Sequence, residues 1–77
     1  MDDSRKQTRQ YLADIPALDS YLDLMDKAKL TELERKICDM KYLRGWTLIY
    51  IGEELGYSEA YIKRVHQKAL KKLTKLF

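Results

Sequence analysis

The last quarter of the chain carries a concentration of basic side chains that could bind a polyanion. Residues 58–77 contain six lysines and arginines and one acid, a net charge of +5, whereas residues 1–57 contain nine bases and eleven acids, a net charge of −2. Positive charge gathered at one end is the distribution expected of a surface that neutralises phosphates. The alternative is that the lysines complement a helix macrodipole, which explains Lys71, Lys72 and Lys75 but not Lys63 and Arg64 near the start of the segment.

Glycine and apolar residues at the spacing of a helix-turn-helix begin just before this basic segment and continue into it. Gly52 allows two helices to approach closely, and Gly56 supplies the positive φ that ends the first of them. Ser58 then caps the second helix, while Ile62 and Val65 pack it against the first. Helix pairs of this kind also occur in proteins that do not bind DNA. Taken with the charge distribution, however, the spacing predicts double-stranded DNA as the partner and the second helix as the recognition helix.

Other residue types give no pattern typical of catalysis or of a metal or cofactor site. Cys38 is the single cysteine, and we expect it to be a small buried side chain. His66 has no second histidine or cysteine at ligand spacing, so we expect it to be packed or hydrogen-bonded. Glu53 and Glu54 are adjacent on a helix and point in different directions, which excludes a close acid/base pair. We therefore predict no enzyme, no cofactor and no metal.

The elements that must position the basic helix are themselves helical. No segment alternates apolar and polar residues at period two, so the fold class is all-α, a small domain of four to five helices. We divide the chain into a polar segment, residues 1–14, partly frayed or a short helix, and a helical DNA-binding domain, residues 15–77, with the helix-turn-helix at about 47–76. Pro16 begins a helix that runs to about Lys29, and Gly45 closes the helix that a capping box of Thr31 and Glu34 opens.

Each helix is expected to bury one apolar stripe. The inward residues are Leu18, Tyr21, Leu22 and Met25 in the first helix, Leu33, Ile37, Cys38 and Met40 in the second, Leu48, Ile51 and Leu55 in the third, and Ile62, Val65, Ala69, Leu73 and Leu76 in the last. Trp46 is expected at the edge of the core. The outer face of the first helix is acidic, with Asp19, Asp23 and Asp26, and Asp23 can pair with Lys27.

The length and the N-terminal sequence restrict the class of protein further. A chain of 77 residues forms one domain and leaves little room for an enclosed active site. The sequence has no signal-peptide pattern and no apolar run long enough for a membrane span. The expected partners therefore include no membrane, and the expected location is the cytoplasm.

Four features follow one another along the chain in the same order as in a known family. They are the acid-rich helix start Leu30-Thr-Glu-Leu-Glu, the Thr47-Leu that opens the motif, the Gly56-Tyr-Ser turn and the closing Ala69-Leu-Lys-Lys-Leu. From Leu30 to Leu76 the chain resembles the fourth region of bacterial sigma factors. This resemblance implies that the last helix lies in the major groove of a promoter element and that the domain docks on the flap of RNA polymerase. Because only a short segment precedes the matching part, we expect a stand-alone regulator.

The resemblance and the motif together identify the candidate DNA-binding residues. They are Thr47, Ser58, Glu59, Ala60, Tyr61, Lys63, Arg64, Gln67, Lys68, Lys71 and Lys72. Glu59 and Ala60 stand where the family has a base-reading Arg-Glu, and Arg64 stands where Gln is frequent. We expect Arg64 to read guanine, and the lysines that follow it to bind phosphates. The competing hypothesis is a protein-interaction module that docks on RNA polymerase or another transcription protein through its acidic first helix, without reading DNA.

Overall fold

The computed structural model describes residues 18–76, which form four α-helices and one π-helical segment and, within that range, no strand. The elements are α1 (Leu18–Ala28), α2 (Glu32–Cys38), the π segment (Asp39–Leu43) that continues α2, α3 (Leu48–Leu55) and α4 (Glu59–Thr74). The all-α class and the number of helices are confirmed. The predictions for residues 1–14 and for a helix start at Pro16 lie outside the described residues. None of the described helices is long and apolar enough to cross a membrane.

Side-chain caps begin α2, α3 and α4, as the sequence predicts. The Thr31 hydroxyl accepts a hydrogen bond from the Glu34 N–H at 3.2 Å, and the Glu34 carboxylate accepts one from the Thr31 N–H at 2.8 Å, which completes the capping box. Thr47 and Ser58 cap α3 and α4 in the same way, each through a hydroxyl that accepts the N–H three residues on at 3.2 Å. These caps satisfy N–H groups that would otherwise have no partner at a helix start.

The helix that begins after Thr31 ends at Gly45, as predicted, where the backbone adopts φ 74°, but its last turn is not α-helical. It widens into the π segment, where the Arg44 N–H donates to the Asp39 carbonyl five residues back at 3.3 Å. The extra residue per turn changes which side chains face the core. Two residues of this segment make hydrogen bonds to other helices: Asp39 accepts one from the Tyr21 hydroxyl at 2.8 Å, and the Tyr42 hydroxyl lies 2.7 Å from His66 Nε2.

The turn between α3 and α4 has the backbone geometry predicted from its glycines. Gly56 adopts φ 81°, a left-handed conformation that ends α3, and the Tyr57 N–H donates to the Gly52 carbonyl at 2.9 Å. A Cβ atom on Gly52 would lie 2.8 Å from the Tyr57 carbonyl oxygen and 3.4 Å from Ile62 Cγ1. Only glycine therefore allows α3 and α4 to pack this closely.

Two apolar clusters hold α4 along its length. One joins α2, α3 and the first half of α4 and contains Ile37, Ile51, Ile62 and Val65, with Trp46, Leu48 and Leu55 packed against it. The other joins α1, α2 and the second half of α4 and contains Tyr21, Met25, Cys38, Ala69, Leu70 and Leu73. Neighbouring helices thus fix both halves of α4 and leave one side of it open to solvent.

Three residues differ from the predicted stripes. Leu18 is 58% exposed at the beginning of α1, and Leu76 is 42% exposed because α4 ends at Thr74 and the helical stripe does not reach it. Leu70, which the predicted stripe omits, is buried. Helix α4 is covered by α1 on one side and by α2 and α3 on the other, so its apolar face is wider than a single stripe.

Candidate nucleic-acid interface

The side of α4 opposite the core presents a continuous exposed face. Successive helical residues are about 100° apart, so residues 60, 64, 67 and 71 lie on one side of α4 and the buried Ile62, Val65, Ala69 and Leu73 on the other. All of the residues predicted to contact bases are exposed, namely Glu59, Ala60, Lys63, Arg64 and Gln67. The structure therefore brings these five together, directly after the turn, on a surface that a large ligand can reach.

Most side chains on this face have no competing partner among the described residues. In residues 18–76, no ion pair or side-chain hydrogen bond engages Arg64, Gln67, Lys68 or Lys71. Lys63 lies 3.9 Å from Glu59 in an exposed pair one turn apart. Such pairs contribute little free energy because water screens them, so both side chains can turn to a ligand.

Lys72 differs from the other lysines of α4. Its Nζ donates to the Glu34 carboxylate at 2.7 Å, and the Glu34 side chain is only 5% exposed. We predicted a phosphate contact for this residue as for Lys68 and Lys71. The structure gives Lys72 a partner on α2, a contact that helical periodicity cannot reveal because the two residues are 38 positions apart.

Two aromatic rings and one arginine lie together at the start of α3. None of them is among the candidate DNA-binding residues predicted from the sequence. The Trp46 and Tyr50 rings meet edge to face with centroids 4.7 Å apart, and the Arg44 guanidinium lies 5.3 Å from the Trp46 ring centroid. Trp46 packs against the core edge, which confirms its predicted place. The sequence signal that could have indicated this group is the presence of Arg44, Trp46 and Tyr50 within three residues of the cap Thr47.

Tyr61 lies on the flank of α4 rather than on its open face. It is 39% exposed, and its ring packs on Tyr57 with centroids 5.0 Å apart. In a tyrosine with this exposure, the ring packs against its neighbours and the hydroxyl is solvated. Tyr61 therefore combines ring packing with a hydroxyl that, within residues 18–76, forms no hydrogen bond, at the border of the exposed face.

A comparison with protein-family models matches residues 28–75, more than half of the chain, to the family described as sigma-70, region 4. The matched range contains α2, the π segment, α3 and α4, with the turn and the exposed face described above. The chain belongs to the sigma-70 region 4 family. No curated protein and no solved structure matches it significantly. The family is a DNA-binding helix-turn-helix domain with a regulatory rather than an enzymatic role, and the resemblance drawn from the sequence is confirmed.

Several other side chains of this region 4 domain are packed or paired within the fold. His66 is 3% exposed and lies 2.7 Å from the Tyr42 hydroxyl, which confirms that it is packed and hydrogen-bonded. Cys38 is fully buried, and burial raises the pKa of its thiol, so the thiolate is disfavoured. Asp23 pairs with Lys27 at 2.9 Å, as predicted. Within residues 18–76, no three histidine, cysteine or acidic side chains lie close enough to hold a metal ion.

Glu34 links the stability of the region 4 domain to pH. Burial alone raises the pKa of its carboxyl, but hydrogen bonds from Lys72 and from the Thr31 N–H outweigh burial, and the pKa lies below the ordinary value of 4.5. A lowered folded-state pKa means that the ionised carboxylate stabilises the fold above the unfolded-state pKa. This contribution is lost as the pH falls through the folded-state pKa.

We therefore expect acid to destabilise the domain partly through Glu34. In urea unfolding followed between pH 6 and pH 3, the unaltered chain should lose more stability below about pH 4.5 than Glu34→Gln does, because glutamine does not titrate there. Glu53→Gln, at an exposed position of α3, is the matched control and should keep the full acid dependence. Equal acid dependence in the unaltered chain and Glu34→Gln would contradict this assignment.

Proposed function

We propose that this region 4 domain is a sequence-specific DNA-binding transcription regulator that inserts α4 into the major groove of double-stranded DNA. One observation carries the proposal: the exposed face of α4, directly after the helix-turn-helix turn, presents Ala60, Arg64 and Gln67 with no partner engaging Arg64 or Gln67 within the described residues. A recognition helix contacts base edges through the residues near its N-terminus, and these three belong to its first turns.

The residue types on this face suggest what each would read. Arg64 can donate two hydrogen bonds to the O6 and N7 acceptors of a guanine, and Gln67 can pair with an adenine. Glu59 can accept from a cytosine amino group, whereas Ala60 can contact a thymine methyl. Lys63 serves a base or a phosphate. Because Glu59, Ala60 and Arg64 differ from the residues usual in the family, the preferred sequence should differ from a standard promoter hexamer.

A second group of residues would hold the DNA backbone and set the register. The Thr47 hydroxyl and the N–H groups at the start of α3 suit one phosphate, and the Arg44 guanidinium lies in the same part of the molecule. Ser58 caps α4 where the helix would enter the groove. The Tyr61 hydroxyl and the ammonium group of Lys68 would contact phosphates along the flank of α4, and the ammonium group of Lys71 would contact a phosphate at the far end of its open face. A regulator of this kind would act in the cytoplasm on double-stranded DNA.

Docking on RNA polymerase is the second candidate function. The observation that favours it is the outer side of α1, where Leu18 is 58% exposed beside the exposed Asp19 and Asp23. Helix α1 packs on α4 through the buried Tyr21 and Met25, so this side faces away from the cluster that it shares with α4. A protein that docks here leaves the open face of α4 free, and the two functions are compatible.

Neutralising Lys68 and Lys71 tests whether α4 contacts DNA phosphates. Each lysine that contacts one phosphate contributes about 0.9 to the slope of log K against log salt concentration, so the double variant Lys68→Gln, Lys71→Gln should reduce the slope by roughly 1.8. Binding to any duplex should weaken, because phosphate contacts carry no sequence information. The measurement is the equilibrium dissociation constant on a fluorescent duplex at five salt concentrations.

The matched control removes two lysines elsewhere. Lys27 and Lys29 are exposed on and just after α1, and the variant Lys27→Gln, Lys29→Gln has the same net charge as the test variant. Its salt slope should equal that of the unaltered chain. If both double variants reduce the slope equally, net charge alone drives the attraction, and the proposed placement of α4 on DNA is wrong.

A further inference from the structure

The ion pair between Lys72 and Glu34 connects the beginning of α2 with the second half of α4. Lys72 Nζ lies 2.7 Å from Glu34 Oε1, and the same carboxylate oxygen accepts the Thr31 N–H at 2.8 Å. Lys68, Lys71 and Lys75 are exposed and, within residues 18–76, form no ion pair. One carboxylate therefore completes the cap of α2 and at the same time holds one side chain of α4.

The direction of Lys72 separates it from the proposed DNA face. Lys71 lies on the side of α4 that carries Arg64, and Lys72, the next residue, is turned by about 100° toward α2. The Lys72 ammonium is held at the buried Glu34 carboxylate, so a phosphate would have to share it with that carboxylate or draw it away. Leaving a buried charge unpaired is strongly unfavourable, so DNA would have to compete with a contact that the fold already provides.

We propose that Lys72 is a positioning residue, which fixes the angle of α4 for base reading through Glu34 and does not itself contact DNA. Helix α4 has 16 residues and is about 24 Å long. Ile62 fixes its first half against α3, and the Lys72–Glu34 pair together with Leu73 fixes its second half. Arg64 and Gln67 lie between these two attachments. This inference rests on the proposed function of α4 as the recognition helix.

Loss of the pair should alter binding through geometry. Without the Lys72 ammonium, the Glu34 carboxylate must be paired by water or by another cation in the open groove between α2 and α4, and the direct contact that joins the two helices is lost. A change in the tilt of α4 displaces Arg64 and Gln67 relative to base edges. Hydrogen bonds weaken steeply with poor angles, so discrimination between sequences falls, while phosphate contacts through flexible lysines adapt.

The experiment compares three variants and a rescue at a temperature where circular dichroism shows each to be folded. The variants are Lys72→Met, Glu34→Gln and, as the matched control, Lys71→Met. Affinities for the duplex selected by the unaltered chain and for a random duplex are measured across salt concentrations. If Lys72→Met is unfolded at every temperature, Lys72→Gln replaces it, because its amide removes the cation that pairs with Glu34 but still donates a hydrogen bond that supports folding.

The proposal predicts that Lys72→Met and Glu34→Gln change binding in the same direction. Both should reduce the ratio of specific to random affinity by at least about threefold, the size expected when one member of a coupled pair is removed, with an unchanged salt slope. Lys71→Met should instead reduce the slope by about 0.9 and keep the ratio. Lys72→Arg, which retains a cation for Glu34, should restore the ratio.

Other outcomes overturn the inference. If Lys72→Met reduces the slope by about 0.9 and Glu34→Gln tightens specific binding by releasing Lys72, then Lys72 is a phosphate contact. If both variants lower the thermal midpoint but keep the affinity ratio, the pair is only structural. If the unaltered chain binds no duplex, the proposed function is wrong and the positioning role with it. If the unaltered chain binds DNA and either of the two results above is found, only the positioning role is wrong.

Discussion

Ile62→Asp should unfold the domain and abolish DNA binding together. Ile62 is fully buried in the cluster with Ile37, Ile51 and Val65, and its Cγ1 would lie 3.4 Å from a Cβ atom on Gly52. An aspartate here would be an unpaired carboxylate at the contact of α3 with α4. Burying such a charge, or opening the cluster to hydrate it, costs on the order of 4–5 kcal/mol or more, which is comparable to the whole stability of a small domain.

Far-ultraviolet circular dichroism measures this effect, and we expect Ile62→Asp to lose the helical signal at 25 °C. Ile49→Asp makes the same change on α3, where the side chain is 53% exposed, and should retain the helical signal and the thermal transition. Retained helicity in Ile62→Asp would show that the interior of the helix-turn-helix has been placed wrongly.

Arg64→Ala should change which DNA is preferred while leaving the fold intact. The Arg64 side chain is exposed and lies opposite the buried face of α4, so its removal creates no cavity. A bidentate contact between an arginine and a guanine contributes about 1–3 kcal/mol of discrimination, roughly 5- to 150-fold in relative affinity. The variant should lose this factor at one base pair and bind the other positions with their original preference.

The measurement is a set of competition titrations with duplexes that carry each single base substitution of the selected site. Lys71→Ala, on the same side of α4, is the matched control and should weaken all duplexes by the same factor. Equal losses across all duplexes for Arg64→Ala would show that Arg64 contacts a phosphate and that base reading lies elsewhere.

Local sequence signals predict most of the architecture that positions α4. The capping residues Thr31, Thr47 and Ser58 and the left-handed Gly56 act within one helical turn, so their effect can be read from adjacent residues. The close approach at Gly52 is also predictable, because the spacing of the motif fixes which helix it faces. The exposed face of α4 follows from the position of its apolar stripe.

The features that sequence reasoning missed depend on contacts between distant residues. The π segment adds a residue to the helix after Cys38, and a regular 3.6-residue period does not contain that signal. Leu70 is buried because α1 covers a second side of α4, which a single amphipathic stripe does not indicate. The Lys72–Glu34 pair likewise exists only once α2 and α4 are packed, and it divides lysines that look equivalent in the sequence.

Selection of bound sequences from a random double-stranded DNA library tests the central claim most directly. We expect the unaltered chain to enrich one motif of a few base pairs and its affinity for this motif to fall steeply with salt. Arg64→Ala should enrich a motif that is altered at one position. If the recovered DNA shows no enriched motif and its binding does not depend on salt, a recognition helix in the major groove is contradicted. That result would favour a module that binds protein alone.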